Sequence, residues 1–167
     1  NISQGMMGYD MNPAFSPDGR YLAWNSMETP GNEADRNRIF IYDFQTKKKW
    51  EATSGLDRNA VGPQWSPDGK GLYFESGEKG TEQLFYLDLS LGNKLTQLST
   101  GQFDYGPFIV SKTGIVAARC SMSEPHELHS LPFETGRNMQ LTYINREALA
   151  ALKFGKVEKR NVKPTDG

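Results

Sequence analysis

One five-residue string occurs twice and constrains the fold more than any other feature. Trp65-Ser66-Pro67-Asp68-Gly69 is matched by Phe15-Ser16-Pro17-Asp18-Gly19. Pro presets the backbone for the second position of a type I turn, Asp tolerates the third, and Gly takes the left-handed conformation at the exit of a short hairpin. The aromatic therefore ends one strand, and the next begins just past the Gly. A repeated hairpin with a repeated aromatic means a repeated structural unit.

The flanking sequence repeats as well. Arg20-Tyr21-Leu22-Ala23-Trp24 leads through a polar loop to Arg38-Ile39-Phe40-Ile41-Tyr42-Asp43. Lys70-Gly71-Leu72-Tyr73-Phe74-Glu75 leads likewise to Gln83-Leu84-Phe85-Tyr86-Leu87-Asp88. The turn glycines are 50 residues apart and the closing aspartates 45, so the extra length sits in the loop over residues 27–37. A third copy has lost Ser-Pro-Asp but keeps Pro107 and Gly114, with Ile115-Val116-Ala117-Ala118 and Glu127-Leu128-His129-Ser130-Leu131 as its strands. A fourth strand per unit starts at Lys49, Lys94 and Met139.

Units of four short strands at a period of roughly 40–45 residues match propeller blades. The expected fold is all-β: a partial β-propeller of about three four-stranded antiparallel blades over residues 9–54, 61–100 and 105–143. A short C-terminal helix and a strand tail are expected over residues 144–167. Pro13, Pro63 and Pro107 close the connections into the innermost strands, a placement suited to a strand's first residue. Ile39-Phe40-Ile41-Tyr42 and Leu84-Phe85-Tyr86-Leu87 are apolar on both faces, as in a sheet sandwiched between two others.

In the tail, Asn145 is placed to cap a helix over residues 146–154 with Gly155 as the stop. Lys156-Val157-Glu158-Lys159-Arg160-Asn161-Val162-Lys163 alternates like an exposed strand, and Pro164-Thr165-Asp166-Gly167 reads as a turn. The chain starts at Asn1 and shows no signal-peptide pattern, so a piece of a longer polypeptide is expected, cut at a blade boundary and ending mid-hairpin. Closed propellers typically have about 4–8 blades. Three would leave two broad apolar faces open, to be covered by further blades or by self-association.

A net charge of −1, from 19 basic and 20 acidic residues, gives no electrostatic case for nucleic acid or an anionic membrane surface. No apolar run is long enough to span a bilayer. The single Cys120 excludes an intrachain disulfide. Cys120, His126 and His129 fit no zinc spacing and lack a fourth ligand, so no metal is expected. Gly77-Glu78-Lys79-Gly80-Thr81 lacks the order of a phosphate loop and joins two strands, so it reads as a hairpin loop and no cofactor is expected. Phe15, Trp24, Trp50, Trp65, Tyr73, Phe85 and Tyr86 offer either a stacking surface or inter-blade packing; their regular place in the repeat favours packing.

The paired Ser-Pro-Asp-Gly turns, with the strands ending at Asp43 and Asp88, resemble the propeller repeats of prolyl oligopeptidase family serine peptidases, above all dipeptidyl and acylaminoacyl peptidases. The periplasmic TolB propeller carries the same repeat. The tail from Gln140 through Lys156-Val157-Glu158-Lys159-Arg160 to Gly167 resembles the bridge from last blade to catalytic domain in bacterial dipeptidyl peptidases. The resemblance implies a periplasmic or secreted exopeptidase whose α/β-hydrolase domain lies outside this chain, with these blades gating or positioning peptides. No Gly-x-Ser-x-Gly elbow occurs here, so no residue is carried over as catalytic. Propeller acids in that family can hold a peptide's free amino group. In the inserted loop, Glu28, Glu33, Asp35 and Arg36 are candidates for that contact or for contact with a neighbouring domain, against the alternative of a solvated loop. The runner-up is a non-enzymatic, TolB-like binding propeller.

Overall fold

The computed structural model describes residues 1–165. Its strands form three four-stranded antiparallel sheets, each in simple sequence order. The first sheet holds β1 (Asp10–Phe15), β2 (Tyr21–Ser26), β3 (Arg38–Asp43) and β4 (Lys49–Glu51). The second holds β5 (Val61–Trp65), β6 (Gly71–Glu78), β7 (Thr81–Asp88) and β8 (Lys94–Gln97). The third holds β9 (Asp104–Val110), β10 (Gly114–Ser121), β11 (Glu124–Pro132) and β12 (Met139–Gln140). The expected all-β propeller architecture is the one observed.

The two Ser-Pro-Asp-Gly turns are built alike. Gly19 N donates to Ser16 O and Gly69 N to Ser66 O, each at 2.9 Å, closing the turn. Both glycines sit at φ 71°. The buried serine hydroxyl donates to the Asp carboxylate at 2.6 Å in each copy and accepts the N–H of Tyr21 or Gly71. The third turn is tighter. Ser111 N donates to Gly114 O, and its hydroxyl accepts the N–H of Gly114. Serine thus does the same work there without Pro or Asp.

The prolines differ from the expectation. Pro13 and Pro63 lie inside β1 and β5, where the register slips between Met11 and Ala14 and between Val61 and Gln64. β9 carries Pro107 beside a similar slip against β10. A bulge frees one N–H from the ladder, so a residue without one costs nothing there.

The sheets stack face to face. Between the first and second, Ala23, Ile39 and Ile41 meet Trp65, Leu72, Phe74 and Phe85. Trp65 stacks on Tyr21 with centroids 5.8 Å apart, and its indole N–H donates to Ala14 O at 2.9 Å. Between the second and third, Tyr73 and Leu84 meet Tyr105, Phe108, Ile115 and Leu131. Gln64 bridges these two sheets, donating to Phe108 O and accepting from Val110 N at 3.1 Å.

Two polar devices fix the stack. The third-strand residues Ile39, Leu84 and Leu128 each donate their N–H to a hydroxyl just past the fourth strand, on Thr53, Ser99 and Thr142. Their carbonyls accept from Ala52, Leu98 and Leu141. Asn25, fully buried, donates to Ala60 O at 2.6 Å and accepts Gly62 N at 3.0 Å, tying the first sheet to the entry of the second.

The tail departs from expectation. The helix, α1, spans only Arg146–Ala150 and buries no residue. Asn145 makes no capping bond; its side chain donates to Glu127 instead. An isolated helix this short is marginal in water, and no packed face prolongs it. Residues 156–163 form no strand and are exposed. An alternating sequence gains a ladder only when it pairs with a strand edge, and this segment pairs with none of the three sheets. Asp166 and Gly167, the end of the expected turn, lie outside the described residues.

Candidate functional site

The loops joining second to third strands and the connections between sheets emerge at one end of the stack. The inserted loop, residues 27–37, lies there. Asp35 organises it: the carboxylate accepts Thr29 N and the Asn32 side-chain amide, and the Thr29 N–H holds its pKa below the usual carboxylate range. Arg36 turns inward, pairing with Glu51 at 3.0 Å and donating to Leu56 O, which fastens the loop to the connection between sheets. Glu28 is exposed and reaches Arg38 at 3.5 Å. Glu33 is exposed on the loop crest. The structure therefore separates the four candidates into two that build the loop, Asp35 and Arg36, and two, Glu28 and Glu33, that face solvent.

Charged pairs continue around this end. Arg58, in the connection to the second sheet, pairs with Glu78 and lies 4.9 Å over the Phe85 ring. Arg119 lies 3.8 Å over the Phe103 ring and 3.9 Å from Glu124.

Sequence reasoning missed one cluster. Glu75 and Glu82 lie on the face of the second sheet that carries Tyr73 and Leu84, toward the third. Glu82 N donates to Asp104 Oδ1 at 2.8 Å, bringing a third carboxylate close. Glu75 follows its turn glycine at the same spacing as Asn25 follows Gly19, so a charged residue stands where the first sheet has a neutral one. That spacing was the available signal. Burial, and then the charge of Glu82, push Glu75 up to about 7. Burial, and then Asp104, raise Glu82. The cluster can hold a proton near neutrality.

A pH effect follows. Unfolded, Glu75 loses its proton near 4.5; folded, it keeps it to about 7. The folded state binds the extra proton between those values, so stability falls as pH rises across the window and stays low above it. With allowance for solvent screening the loss is roughly 1–2 kcal/mol. Urea midpoints measured at about pH 5 and about pH 8 should drop less for Glu75→Gln than for the parent chain. Equal drops would remove the effect.

His126 is exposed and His129 is buried on the same strand. Burial lowers the His129 pKa, and its Nδ1 bonds Asn138 Oδ1 at 2.8 Å, which in turn reaches Tyr105. Among the described residues no His, Cys, Asp and Glu group is arranged to hold a metal. No helix among them is long and apolar enough to cross a membrane.

No protein-family model matches the sequence. Dipeptidyl-peptidase 5 of Porphyromonas gingivalis is 40% identical over 167 residues, which is all of this chain and 24% of that protein. This chain is a relative of the dipeptidyl-peptidase 5 proteins. The match bears out the resemblance to prolyl oligopeptidase family propellers, and the chain spans about a quarter of the length of the curated relatives it matches. An acylaminoacyl peptidase in complex with Z-Gly-Gly-Phe-chloromethyl ketone superimposes with a TM-score of 0.67 and 16% identity, covering 90% of this chain and 25% of its own. A TolB from Agrobacterium tumefaciens gives 0.66 and 17%, covering 83% and 50%. At those identities the structural likeness shows the propeller fold alone. The segment shared with dipeptidyl-peptidase 5 is thus three stacked blades, with its exposed acids at one end.

Proposed function

We propose that this chain is the non-catalytic propeller segment of a dipeptidyl-peptidase-like serine exopeptidase, gating and positioning short peptides for an adjacent α/β-hydrolase domain. The observation that carries the reading is the 40% identity to dipeptidyl-peptidase 5, sustained along the whole chain. Glu33, and Glu28 with its exposed pairing to Arg38, are the acids that would meet a peptide's amino group or the neighbouring domain. Residues 144–167 act as the link toward that domain, and the uncovered sheet faces seat further blades. The parent protein works in the periplasm or outside the cell.

The test uses the full-length parent. It should release dipeptides from peptide N-termini and be labelled by a fluorophosphonate, while the 167-residue chain alone should do neither. Glu28→Gln with Glu33→Gln should raise the peptide KM roughly tenfold or more with kcat retained, as for loss of a charge-assisted hydrogen bond. An unchanged KM would remove the amino-group role. A parent without peptidase activity would contradict the reading and favour the second one, a TolB-like protein-binding propeller, whose fold the TolB superposition shares.

A further inference from the structure

Each sheet has a crevice where its third and fourth strands meet the outgoing connection. In the first sheet Arg36 fills it, pairing with Glu51 and donating to Leu56 O. Thr81 and Gln97 take those two positions in the second sheet, since Phe85 pairs with Gln97 as Phe40 pairs with Glu51. They line a cavity of about 210 Å³ that stays open although the third sheet stands beside it. A following sheet therefore does not close this crevice. In the third sheet Pro125 and Gln140 hold the two positions, and a cavity of about 240 Å³ remains, with Arg146 and Leu149 of the tail among its walls.

The chemistry of the third cavity is its own. Arg119 lines it with a side chain 14% exposed. A guanidinium offers a fork of N–H donors. Among the described residues this one has a single hydrogen bond, 3.5 Å to Asn138 Oδ1, and one distant ion contact, 3.9 Å to Glu124. A mostly buried cation so short of acceptors fits an anion. Arg146 adds a second guanidinium, 5.7 Å over the Tyr143 ring. Glu127 also lines the wall, but Thr142 and Asn145 occupy its two oxygens. His129, 2% exposed, donates from Nδ1 to Asn138 Oδ1, because the Asn138 amide is given to Tyr105 at 3.0 Å. In the neutral ring Nε2 is then an acceptor, and it has no partner among the described residues.

We propose that this cavity binds the C-terminal end of a short peptide, its carboxylate on Arg119 and Arg146 and its last amide N–H on His129 Nε2. The carboxylate takes the place of the distant Glu124 on Arg119. Pro125, Tyr143 and Leu149 give the terminal side chain an apolar wall. The volume suits a ligand the size of a dipeptide. The site belongs to the third sheet and the tail, apart from the first-sheet loop that carries Glu28 and Glu33. It holds or fails whether or not a parent protein has peptidase activity.

Calorimetric titration of the 167-residue chain with glycylleucine is the experiment. Saturable one-to-one binding is expected, and at least roughly tenfold weaker binding of glycylleucine amide, which lacks the carboxylate. Arg146→Gln, at an exposed position, should keep the urea midpoint and weaken binding roughly tenfold or more. Arg119→Lys, which keeps the charge but loses the fork, should weaken it as well. Glu124→Gln should tighten binding, because the competing carboxylate is gone. Tetraglycylleucine separates two sources of the same chemistry. Affinity equal to that of glycylleucine would make the ligand any peptide's C-terminus, and affinity at least roughly tenfold lower would make it the free dipeptide; both support the proposal. No saturable binding of either peptide at millimolar concentration would overturn it. So would an amide bound as tightly as the acid, or an arginine variant that binds like the parent chain.

Discussion

Replacing Trp65 with Ala should cost about 3–5 kcal/mol of stability, the range for truncating a large buried aromatic. The side chain is 8% exposed, stacks on Tyr21 and donates its indole N–H to Ala14 O. Truncation would open a cavity between the first two sheets and leave that carbonyl without its partner. Urea unfolding followed by circular dichroism measures the loss. Phe15→Ala is the matched control, because it occupies the same repeat position on an uncovered face; in the monomer it should cost less than about 1 kcal/mol. Equal costs at the two positions would mean that Trp65 is not packed between sheets.

Asn25→Ala should be the second most damaging change, at roughly 2–4 kcal/mol, although it removes little volume. Its amide donates to Ala60 O and its carbonyl accepts Gly62 N, both at the entry to the second sheet. Each buried group left unpaired costs on the order of 1–3 kcal/mol. Asn25→Asp should be as harmful, since it removes the donor to Ala60 and introduces a charge at a fully buried position. Unfolding midpoints of both variants within a few tenths of a kcal/mol of the parent would show that the connection between sheets is held by other contacts.

Much of the fold was legible because local chemistry repeats. Pro and Gly in the two turns dictate backbone angles whatever surrounds them, so Gly19 and Gly69 could be placed from sequence. Apolar runs such as Ile39-Phe40-Ile41 marked sheets buried on both faces. What sequence hid was set by long-range partners. The hydroxyls of Thr53, Ser99 and Thr142 look like ordinary loop residues until the third strand's N–H is seen beside each. The bulges at Pro13 and Pro63 depend on pairing register, which no local signal carries. Residues 146–154 favour a helix by composition, but propensity alone sustains only Arg146–Ala150.

The candidate site was legible in part for the same reason. The inserted loop stood out by its length, and Glu28 and Glu33 do face solvent. Asp35 and Arg36 are charged residues of the same loop, yet they are engaged with Thr29 and with Glu51 and Leu56. Charge in a loop does not reveal which side chains are already paired. Glu75 and Glu82 come together by strand pairing within the second sheet, and only the stacking brings Asp104 of the third sheet beside them.

The stacking itself is tested most directly by nuclear Overhauser contacts from the Trp65 indole. Sheets packed face to face predict cross-peaks from its ring protons to the Tyr21 ring and from its indole N–H to Ala14, with the N–H protected from exchange. An indole N–H that exchanges freely with water and shows contacts only within its own hairpin would contradict the stacked propeller.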